Sequence, residues 1–438
     1  MNKIPKYVII LSLDAVGTID LPYLKSLPNM KRYFEGAGYC DAVQSVYPSL
    51  TYPCHASIVT GKWPKNHGVV NNTFLQPERR QPDWRWYRHC ISGTTLYDEA
   101  KRSGRSVAAF LWPVTAKSDT IDYHVPEIFS NRRWDNQIFT SLRNGSKGFQ
   151  LRLMLKYGWR LRGTAQPALD EFTFSCTLDT IRRKKPHLVM THLTDVDTVK
   201  HYAVDREEVR RALARHDERL GRLVRTLKKL GIYDETTIVL LGDHSQMPCH
   251  HIIYLNTFFR ARGWLKYSRR KRSITDWSVI AWDCDGSAYV YIRPELRERM
   301  GSTVMAFLAR IQATNRYGIA RIYTAEEASA LGADPDCFCM VEAKRGYYFQ
   351  NGAHRRKERL DWRHNAKHRM LATHGYLPTL KGYGTFFAMR GPGVRPGAYT
   401  GEMNLTDEGP TLAALTGLSL PAADGRIIKE LLARYEKN

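Results

Sequence analysis

The stretch YVIILSLD, residues 7–14, decides the fold. Its apolar, β-branched run is far shorter than the roughly 18 residues of a membrane-spanning helix, and it fits a buried β-strand. Comparable runs recur at Ser106 to Phe110, His187 to Thr191 and Thr236 to Leu241. Because helical patterns alternate with these runs, the sequence predicts an α/β fold in which helices sandwich a mostly parallel sheet.

Two long segments between these strands differ in how clearly they predict structure. Glu207 to Leu230 carries apolar residues at helical spacing, which predicts an amphipathic helix packed on the sheet. Asn131 to about Thr173 is rich in arginine and aromatic residues and fits neither the helical nor the strand period. We interpret this second segment as an active-site cap or loop region.

The pattern changes again in the last third of the chain. Ala288 to Ile292 predicts a strand, Met305 to Ile311 a helix, and Ile322-Tyr323 a further strand, which together indicate a small α+β insertion. We therefore expect a catalytic domain formed by residues 1–285 and 355–438, with an inserted α+β subdomain at residues 286–354.

The composition is that of a folded protein with a strong positive charge. The 438 residues are 43% hydrophobic and 25% charged, and the formal net charge is +23. Such a charge attracts phosphate-bearing partners, whether small substrates, nucleic acid or an acidic membrane face. Basic runs such as residues 269–272 lack the aromatic interleaving of a strand-binding groove, so nucleic-acid binding stays a minor hypothesis.

The sequence also gives an expectation about the compartment. Residues 7–13 make a poor signal-peptide core, and no later stretch is apolar for long enough to span a membrane. The eight cysteines are scattered, and the close pair Cys337 and Cys339 has no second pair to complete a zinc cage. Free thiols indicate a reducing compartment, so we expect a soluble, cytoplasmic chain.

Aspartate and histidine residues cluster just past the predicted strands. The groupings are Asp14, Asp197 with His201, Asp243 with His244, and the late His374. Each residue alone is more often a helix cap, a turn former or a satisfied core residue. The loops at the carboxyl ends of parallel strands gather into one site, however. Three carboxylates and three imidazoles suit zinc and suffice for two ions, and a threonine could complete the set.

A resemblance makes this pattern specific. The chain is similar to the nucleotide pyrophosphatase/phosphodiesterase branch of the alkaline phosphatase superfamily in the order, spacing and type of several motifs. These motifs are YPSLTYPCH at residues 47–55, SIVTG at 57–61, HGVVNN at 67–72, LSLD at 11–14, GDH at 242–244, THGY at 373–376 and EGPTL at 408–412. The similarity therefore runs along nearly the whole chain.

The resemblance implies a fold, a cofactor and site residues. The fold would be a three-layer, alkaline-phosphatase-like sandwich, and the cofactor would be two Zn²⁺ ions per chain. One ion would be held by Asp197, His201 and His374, and the other by Asp14, Asp243, His244 and the Thr51 oxygen. Thr51 would be the nucleophile that forms a covalent phospho-threonine. Asn72 would contact the phosphate, Tyr52 would lie near a stacked nucleobase, and Trp112 would form a pocket wall.

Some features leave alternatives open. Val196 and Lys200 stand where the family commonly has proline and glycine, and Asp195 is a second carboxylate beside Asp197, although we favour Asp197 as the ligand. We expect hydrolysis of a small anionic phosphodiester, pyrophosphate or nucleotide. The alternatives are a phosphomonoesterase, phosphonate hydrolase or phosphomutase of the same superfamily, and a non-catalytic basic binding protein.

Overall fold

The computed structural model describes residues 4–203, 205–360, 362 and 369–435. Its strands, in chain order, are β1 (Tyr7–Leu13), β2 (Gly38–Gln44), β3 (Val107–Phe110), β4 (Tyr123–Val125), β5 (Leu188–Leu193), β6 (Thr236–Leu241), β7 (Met247–Ile253), β8 (Leu265–Ser268), β9 (Ser273–Trp277), β10 (Val279–Cys284), β11 (Ser287–Ile292), β12 (Ile319–Thr324), β13 (Cys339–Ala343), β14 (Gly346–Phe349), β15 (Lys357–Arg359), β16 (Ala372–Thr373), β17 (Thr385–Arg390) and β18 (Met403–Asn404). The α-helices are α1 (Leu21–Leu24), α2 (Pro28–Phe34), α3 (Thr51–Thr60), α4 (Pro64–His67), α5 (Leu96–Arg102), α6 (Gln137–Asn144), α7 (Lys147–Tyr157), α8 (Ala168–Lys184), α9 (Asp195–Tyr202), α10 (Arg206–Lys229), α11 (Leu255–Ala261), α12 (Arg297–Ala313), α13 (Ala325–Ala330) and α14 (Glu408–Thr416).

A large central sheet organises the fold. Within the described residues its strand order is β18-β2-β17-β6-β1-β5-β3-β4. All neighbours pair in parallel except β17, which runs antiparallel to both β2 and β6. The predicted α/β fold with a mostly parallel sheet is thereby confirmed.

Helices cover both faces of this sheet because its strands bury side chains on both sides. In β1, Val8 and Ile10 belong to one hydrophobic cluster, which includes residues of α3, α5 and α14. Ile9 and Leu11 belong to another cluster, on the face covered by α2, α8 and α10. Side chains of a strand alternate between the two faces, so a continuous apolar run is the expected sequence of a strand buried on both sides. The three-layer arrangement is the result.

The predicted elements agree with the structure to different degrees. β1 and β6 have the predicted bounds, and α10 begins and ends one residue before the predicted helix. Residues 131–173 were expected to lack a regular helical or strand pattern, but the structure has helices α6, α7 and the start of α8 there. Leu151 and Leu155 are exposed on α7. Apolar residues therefore lie on both faces of α7, which hides the helical period in the sequence.

Strands that follow β6 along the chain form a second, separate sheet. The strands β10, β11, β13 and β12 form a sheet of their own, with α12 and α13 in contact with it. This sheet begins at Val279, and the expected division at residues 286 and 354 stays a prediction. In the part of the chain that the structure describes, no helix has the length and apolar character that crossing a membrane requires.

Candidate metal centre

Three neighbouring strands bring the predicted site residues to one edge of the central sheet. β1 pairs in parallel with both β5 and β6, so the carboxyl ends of these strands lie side by side. Asp14 directly follows β1, Asp243 lies two residues after β6, and Asp197 lies in the first turn of α9, which follows β5. The predicted aspartates therefore come together because of strand order, although they are far apart in sequence.

The first group of side chains surrounds the imidazole of His244. Its Nε2 lies 3.5 Å from Asp14 Oδ1, 3.3 Å from Asp243 Oδ2 and 3.2 Å from Thr51 Oγ1. Thr51 is the first residue of α3 and is partly exposed, whereas the three other residues are buried. Donor atoms of Asp14, Asp243 and His244 lie within 4.8 Å of one another, which is close enough for one ion to contact all three.

The second group consists of Asp197, His201 and His374. His201 Nε2 lies 3.3 Å from Asp197 Oδ1, and the rings of His201 and His374 are 5.3 Å apart. His201 Nδ1 lies 2.8 Å from the carbonyl oxygen of Ala372. Because a carbonyl oxygen only accepts, Nδ1 must donate, and a neutral His201 ring then has its lone pair on Nε2, on the side of Asp197. This is the tautomer that a metal ligand needs.

The first and second groups of side chains are in contact with each other. The rings of His244 and His374 stack with centroids 4.0 Å apart. Donor atoms of Asp197, His244 and His374 also lie within 4.8 Å of one another. The six predicted Asp and His ligands therefore form one continuous cluster.

Burial and the proximity of like charges perturb the pKa values of the side chains in this cluster. Burial, followed by repulsion from Asp243 and Asp197, raises the pKa of Asp14. Burial likewise raises the pKa of Asp243 to about 6 and lowers the pKa of His244 and of His374 to about 3. Across the described ranges, neither lysine nor arginine forms an ion pair with Asp14, Asp197 or Asp243.

Burial alone would lower the pKa of the neighbouring histidines, but Asp197 raises the pKa of His201 to about 9, and Asp14 and Glu127 raise the pKa of His192. Among the described residues, the carboxylates are therefore compensated by titratable imidazoles and not by the permanent charge of a lysine or arginine.

Several donor atoms also lack partners. Among the residues that the structure describes, four buried site atoms have no hydrogen-bond partner: Asp14 Oδ1, Asp243 Oδ2, His244 Nδ1 and His374 Nδ1. Buried polar groups are normally hydrogen-bonded. Two of these atoms are carboxylate oxygens in the group around His244, and oxygen and imidazole nitrogen ligands suit Zn²⁺. The residues present therefore fit a divalent metal.

The neighbouring carboxylate, Asp195, has a different role. Arg215 donates to it twice, from Nε at 2.6 Å and from its guanidinium Nη2 at 2.8 Å. Arg219 lies 3.5 Å from the same carboxylate. Asp195 is thus neutralised by arginines, and Asp197 is the carboxylate of this turn that faces the cluster.

Sequence reasoning missed two histidines that contact the cluster. His192 Nε2 lies 2.9 Å from Asp14 Oδ2, and its Nδ1 lies 2.9 Å from Glu127 Oε2. His55 Nδ1 lies 3.6 Å from Asp243 Oδ2, and donor atoms of His55, His192 and Asp243 form a third compact group. His192 lies inside β5, one residue beyond the predicted end of that strand. A longer strand prediction would have included it.

The side chains at the start of α3 are arranged around Thr51. The Tyr52 backbone N–H donates to Asn72 Oδ1 at 3.0 Å, which holds the Asn72 amide at the helix start. The Tyr52 hydroxyl donates to Glu127 Oε1 at 3.0 Å. These bonds place Asn72 next to Thr51, where the resemblance expects it.

The two aromatic residues expected to contact substrate are fully buried. Tyr52 and Trp112 are both 0% exposed. Tyr52 packs edge-on against Trp84 at 5.1 Å, and Trp112 packs edge-on against His55 at 4.9 Å. Their burial does not support the predicted contacts with a nucleobase or a pocket wall. Both rings instead belong to the hydrophobic cluster on one face of the central sheet.

The fold and the cluster together define a class of protein, the α/β proteins with an alkaline-phosphatase-like sandwich and a cluster of Asp and His side chains at the carboxyl ends of its central strands. The family model described as type I phosphodiesterase / nucleotide pyrophosphatase matches residues 8–377. The chain belongs to this family, which confirms the resemblance seen in the sequence.

Curated relatives match part of the chain. Human ectonucleotide pyrophosphatase/phosphodiesterase family member 1 is 26% identical over 246 residues, which is 53% of this chain and 23% of the relative. Venom phosphodiesterase 2 from Crotalus adamanteus is 24% identical over 275 residues, 59% of this chain and 29% of the relative. The matches thus span about a quarter of the length of these relatives.

Solved structures match nearly the whole chain. Murine ectonucleotide pyrophosphatase / phosphodiesterase 5 aligns with a TM-score of 0.67 and 17% identity, covering 98% of this chain and 100% of that chain. A second structure of the murine protein, an inactive threonine-to-alanine variant in complex with AMP, aligns over the same shares with a TM-score of 0.66 and 17% identity. At this identity the likeness shows the fold.

Proposed function

We propose that the chain hydrolyses phosphodiester or pyrophosphate bonds in small, nucleotide-like anions at a two-zinc centre, through a covalent phospho-threonine at Thr51. One observation carries the proposal. Thr51 Oγ1 lies 3.2 Å from His244 Nε2, beside two buried carboxylates that lack a lysine or arginine partner among the described residues. A metal-activated nucleophile requires a partly exposed hydroxyl beside side chains that can bind a metal ion, and Thr51 has this position.

The donor set favours zinc and divides into two groups. Asp14, Asp243, His244 and the Thr51 oxygen would hold one ion, and Asp197, His201 and His374 the other. Such ions, when bound, stabilise a threonine alkoxide and the charge on the phosphoryl oxygens. Hydrogen bonds already orient part of the set, since the backbone N–H of Ala15 donates to Asp243 Oδ1 at 3.1 Å.

The remaining chemistry belongs to the chain's own residues. The Thr51 oxygen attacks phosphorus, a new P–O bond forms, and the bond to the leaving oxygen breaks on the opposite side. Water then attacks the phospho-threonine and returns the hydroxyl. Asn72 accepts from Tyr52 through Oδ1, which leaves its NH₂ group to donate to a non-bridging phosphoryl oxygen. The positive end of α3 favours negative charge at the same place.

The surroundings favour diesters over monoesters. A monoester carries an additional negative charge, which a further cation at the site would neutralise. Lys200 is a cation on α9, but its Nζ lies 2.6 Å from Asp20 Oδ2 and 2.8 Å from the Ala15 carbonyl oxygen. This lysine is therefore already neutralised. The monoesterase, phosphonate hydrolase and phosphomutase alternatives lack a comparable observation.

The relatives support the substrate class. The relatives named above are phosphodiesterases and nucleotide pyrophosphatases, and the murine structure with AMP is of an inactive variant that carries an alanine in place of a threonine. These properties belong to those proteins. Here they favour a nucleotide-like substrate and a threonine nucleophile, while the cytoplasmic compartment stays a prediction.

A hydrolysis screen tests the proposal. The zinc-loaded protein is assayed with bis-p-nitrophenyl phosphate, with p-nitrophenyl phosphate and with a panel of nucleotides and dinucleotides. We expect the diester and the pyrophosphate-containing nucleotides to be cleaved well above the monoester. Preferential cleavage of the monoester would contradict the proposal, as would an absence of turnover on every substrate with the metal centre fully loaded.

A further inference from the structure

One segment of the chain exposes large apolar side chains to solvent. Ten large hydrophobic residues are exposed in the described part of the chain, and six of them lie between residues 134 and 159. The six are Trp134 (82% exposed), Ile138 (50%), Phe139 (61%), Leu151 (51%), Leu155 (80%) and Trp159 (74%). Single exposed apolar residues are normal on a protein surface, but a concentration of them marks an interaction site.

Three of these residues form a stripe on the outside of α7 and just beyond it. Leu151, Leu155 and Trp159 follow one another at intervals of four residues, which places them on one side of a helical path. The inner side is occupied separately, since Gln150 and Leu153 are buried. The outer stripe is therefore additional to the residues that hold α7 on the domain.

The same segment is strongly basic. Residues 131–162 contain eight lysines and arginines and one acidic residue, Asp135, which gives a formal charge of +7. Two of the cations, Arg152 and Lys156, lie 2.6 Å and 2.8 Å from the carboxylate oxygens of Asp179 and fix α7 to α8. Arg133, Arg143 and Lys147 form no ion pair with any described residue, so their charge faces solvent.

Positive charge continues beside the stripe. A cavity of about 650 Å³ lies between the end of α7 and the helices α8 and α10. Its basic lining residues are Arg160, Arg182, Arg222, Arg225 and Lys229. In the described part of the chain, Arg222 is the member of this set that pairs with a carboxylate, Glu171. Arg160 Nε is buried and has no hydrogen-bond partner among the described residues, so this edge of the segment is suited to anionic groups.

The combination of features selects one kind of partner. Aliphatic leucines contribute little to binding a nucleic acid, whose affinity comes from phosphate contacts and base stacking. Amphipathic helices that lie on membranes join leucine, phenylalanine and tryptophan on one face with lysine and arginine around them. Tryptophan also prefers the boundary between headgroups and acyl chains, and anionic headgroups attract basic segments.

We propose that residues 131–162 dock the protein on the surface of an anionic lipid bilayer. Leu151, Leu155 and Trp159 enter the boundary between headgroups and acyl chains, and the surrounding lysines and arginines contact the lipid phosphates. The proposal does not depend on the hydrolytic function, because none of these residues belongs to the metal cluster.

Vesicle co-sedimentation of the full chain tests the proposal. The probes are phosphatidylcholine vesicles with and without phosphatidylserine, and we expect sedimentation with the anionic vesicles that weakens as salt is added. The triple variant Leu151→Ser/Leu155→Ser/Trp159→Ser should bind at least about tenfold more weakly. A charge variant, Arg133→Gln/Arg143→Gln/Lys147→Gln, should also lose affinity and lose part of the salt dependence.

A matched control separates docking from general hydrophobicity. Ile4→Ser/Ile19→Ser removes two exposed apolar residues outside the segment, at 54% and 59% exposure, and should bind like the parent. Thermal melting establishes that each variant is folded. Equal binding to neutral and anionic vesicles would overturn the proposal, and so would a triple variant that binds like the parent. Self-association or single-stranded nucleic-acid binding through the segment, without vesicle binding, would assign the surface to another partner and also overturn it.

Discussion

Two sets of buried or half-buried aspartates lie at the same edge of the central sheet and are stabilised in different ways. Asp195 and Asp170 lie beside arginines: Arg215 donates twice to Asp195, and Arg219 lies 3.5 Å from both carboxylates. Asp14, Asp197 and Asp243 have histidines around them instead, and no arginine or lysine among the described residues pairs with any of the three.

The difference shows where the protein provides its own counter-charge and where it does not. A buried carboxylate is costly unless a cation pairs with it. The protein supplies arginine to the first set, which we call the arginine-paired set (Asp170 and Asp195). It supplies no arginine to the second set, the metal-site set (Asp14, Asp197 and Asp243), in which Asp14 Oδ1 and Asp243 Oδ2 have no hydrogen-bond partner among the described residues. A cation from solution is the simplest counter-charge for that set, and the three predictions below test this distinction.

The largest effect is expected at Thr51, which contacts the metal-site set through His244. Thr51→Ala should lower turnover by several orders of magnitude because the nucleophile is gone, while Thr51→Ser should keep measurable activity. Leu50, and not Thr51, is the N-cap of α3, so replacing Thr51 removes no capping side chain. The free energy of unfolding of both variants should therefore differ from that of the parent by no more than about 1 kcal/mol. Initial rates, metal content and thermal melting measure these effects. An alanine variant with near-parental turnover would rule out Thr51 as nucleophile.

The next prediction concerns the replacement of one aspartate from each set by asparagine. Asp243→Asn should lower metal content and reduce activity by more than the roughly 10–100-fold that loss of an outer-shell partner costs. Asp195→Asn should retain the metal but destabilise the fold by about 3–5 kcal/mol, because buried Arg219 and half-buried Arg215 lose a partner. Metal analysis and urea unfolding of both variants provide the measurement. If Asp195→Asn loses metal as Asp243→Asn does, the distinction between the two sets is wrong.

A smaller effect is expected at Glu342, a buried carboxyl that forms no ion pair with any described lysine or arginine and lies outside the metal-site set. Burial raises its pKa to about 8, and the Tyr47 hydroxyl donates to its Oε2 at 2.7 Å. Because the folded pKa lies above the unfolded value, this group's contribution is most favourable below about pH 4.5 and is lost as pH rises toward about 8. The loss amounts to on the order of 3 kcal/mol at pH 7.

Glu342→Gln keeps the shape of this group and removes its ionisation. The variant should therefore lose less stability than the parent between about pH 5 and about pH 8. Urea unfolding at several pH values compares the two proteins, with Glu326→Gln, an exposed glutamate on α13, as the control. Parallel pH profiles for all three proteins would show that Glu342 ionises normally and is not buried as a neutral acid.

The fold was more accessible from sequence than the site. β1 and β6 consist mainly of apolar and β-branched residues and are flanked by polar residues, so their bounds could be predicted to the residue. β5 extends to Leu193, two residues past its predicted end, because His192 interrupts the apolar pattern while still occupying a buried strand position. Helix α7 was missed because its outer leucines remove the polar face by which amphipathic helices are predicted.

The candidate site, like the fold, could be predicted from the sequence only in part. The ligand candidates could be predicted because strand ends and the family resemblance both mark them. The contacts of His192 with Asp14, and of His55 with Asp243, depend on the pairing of β1 with β5 and on how α3 packs, which local sequence does not encode. Burial of Tyr52 and Trp112 is likewise a property of the assembled core. The position of a residue next to a motif in the sequence does not predict whether its side chain is buried.

The most direct test of the central claim is the metal content of the chain. The protein is stripped with a chelator, reloaded with zinc, freed of excess metal by gel filtration and analysed by inductively coupled plasma mass spectrometry. Six Asp and His donors together with Thr51 exceed what one tetrahedral ion uses, so the account predicts close to two zinc ions per chain. A fully loaded protein that holds one ion or none would contradict it.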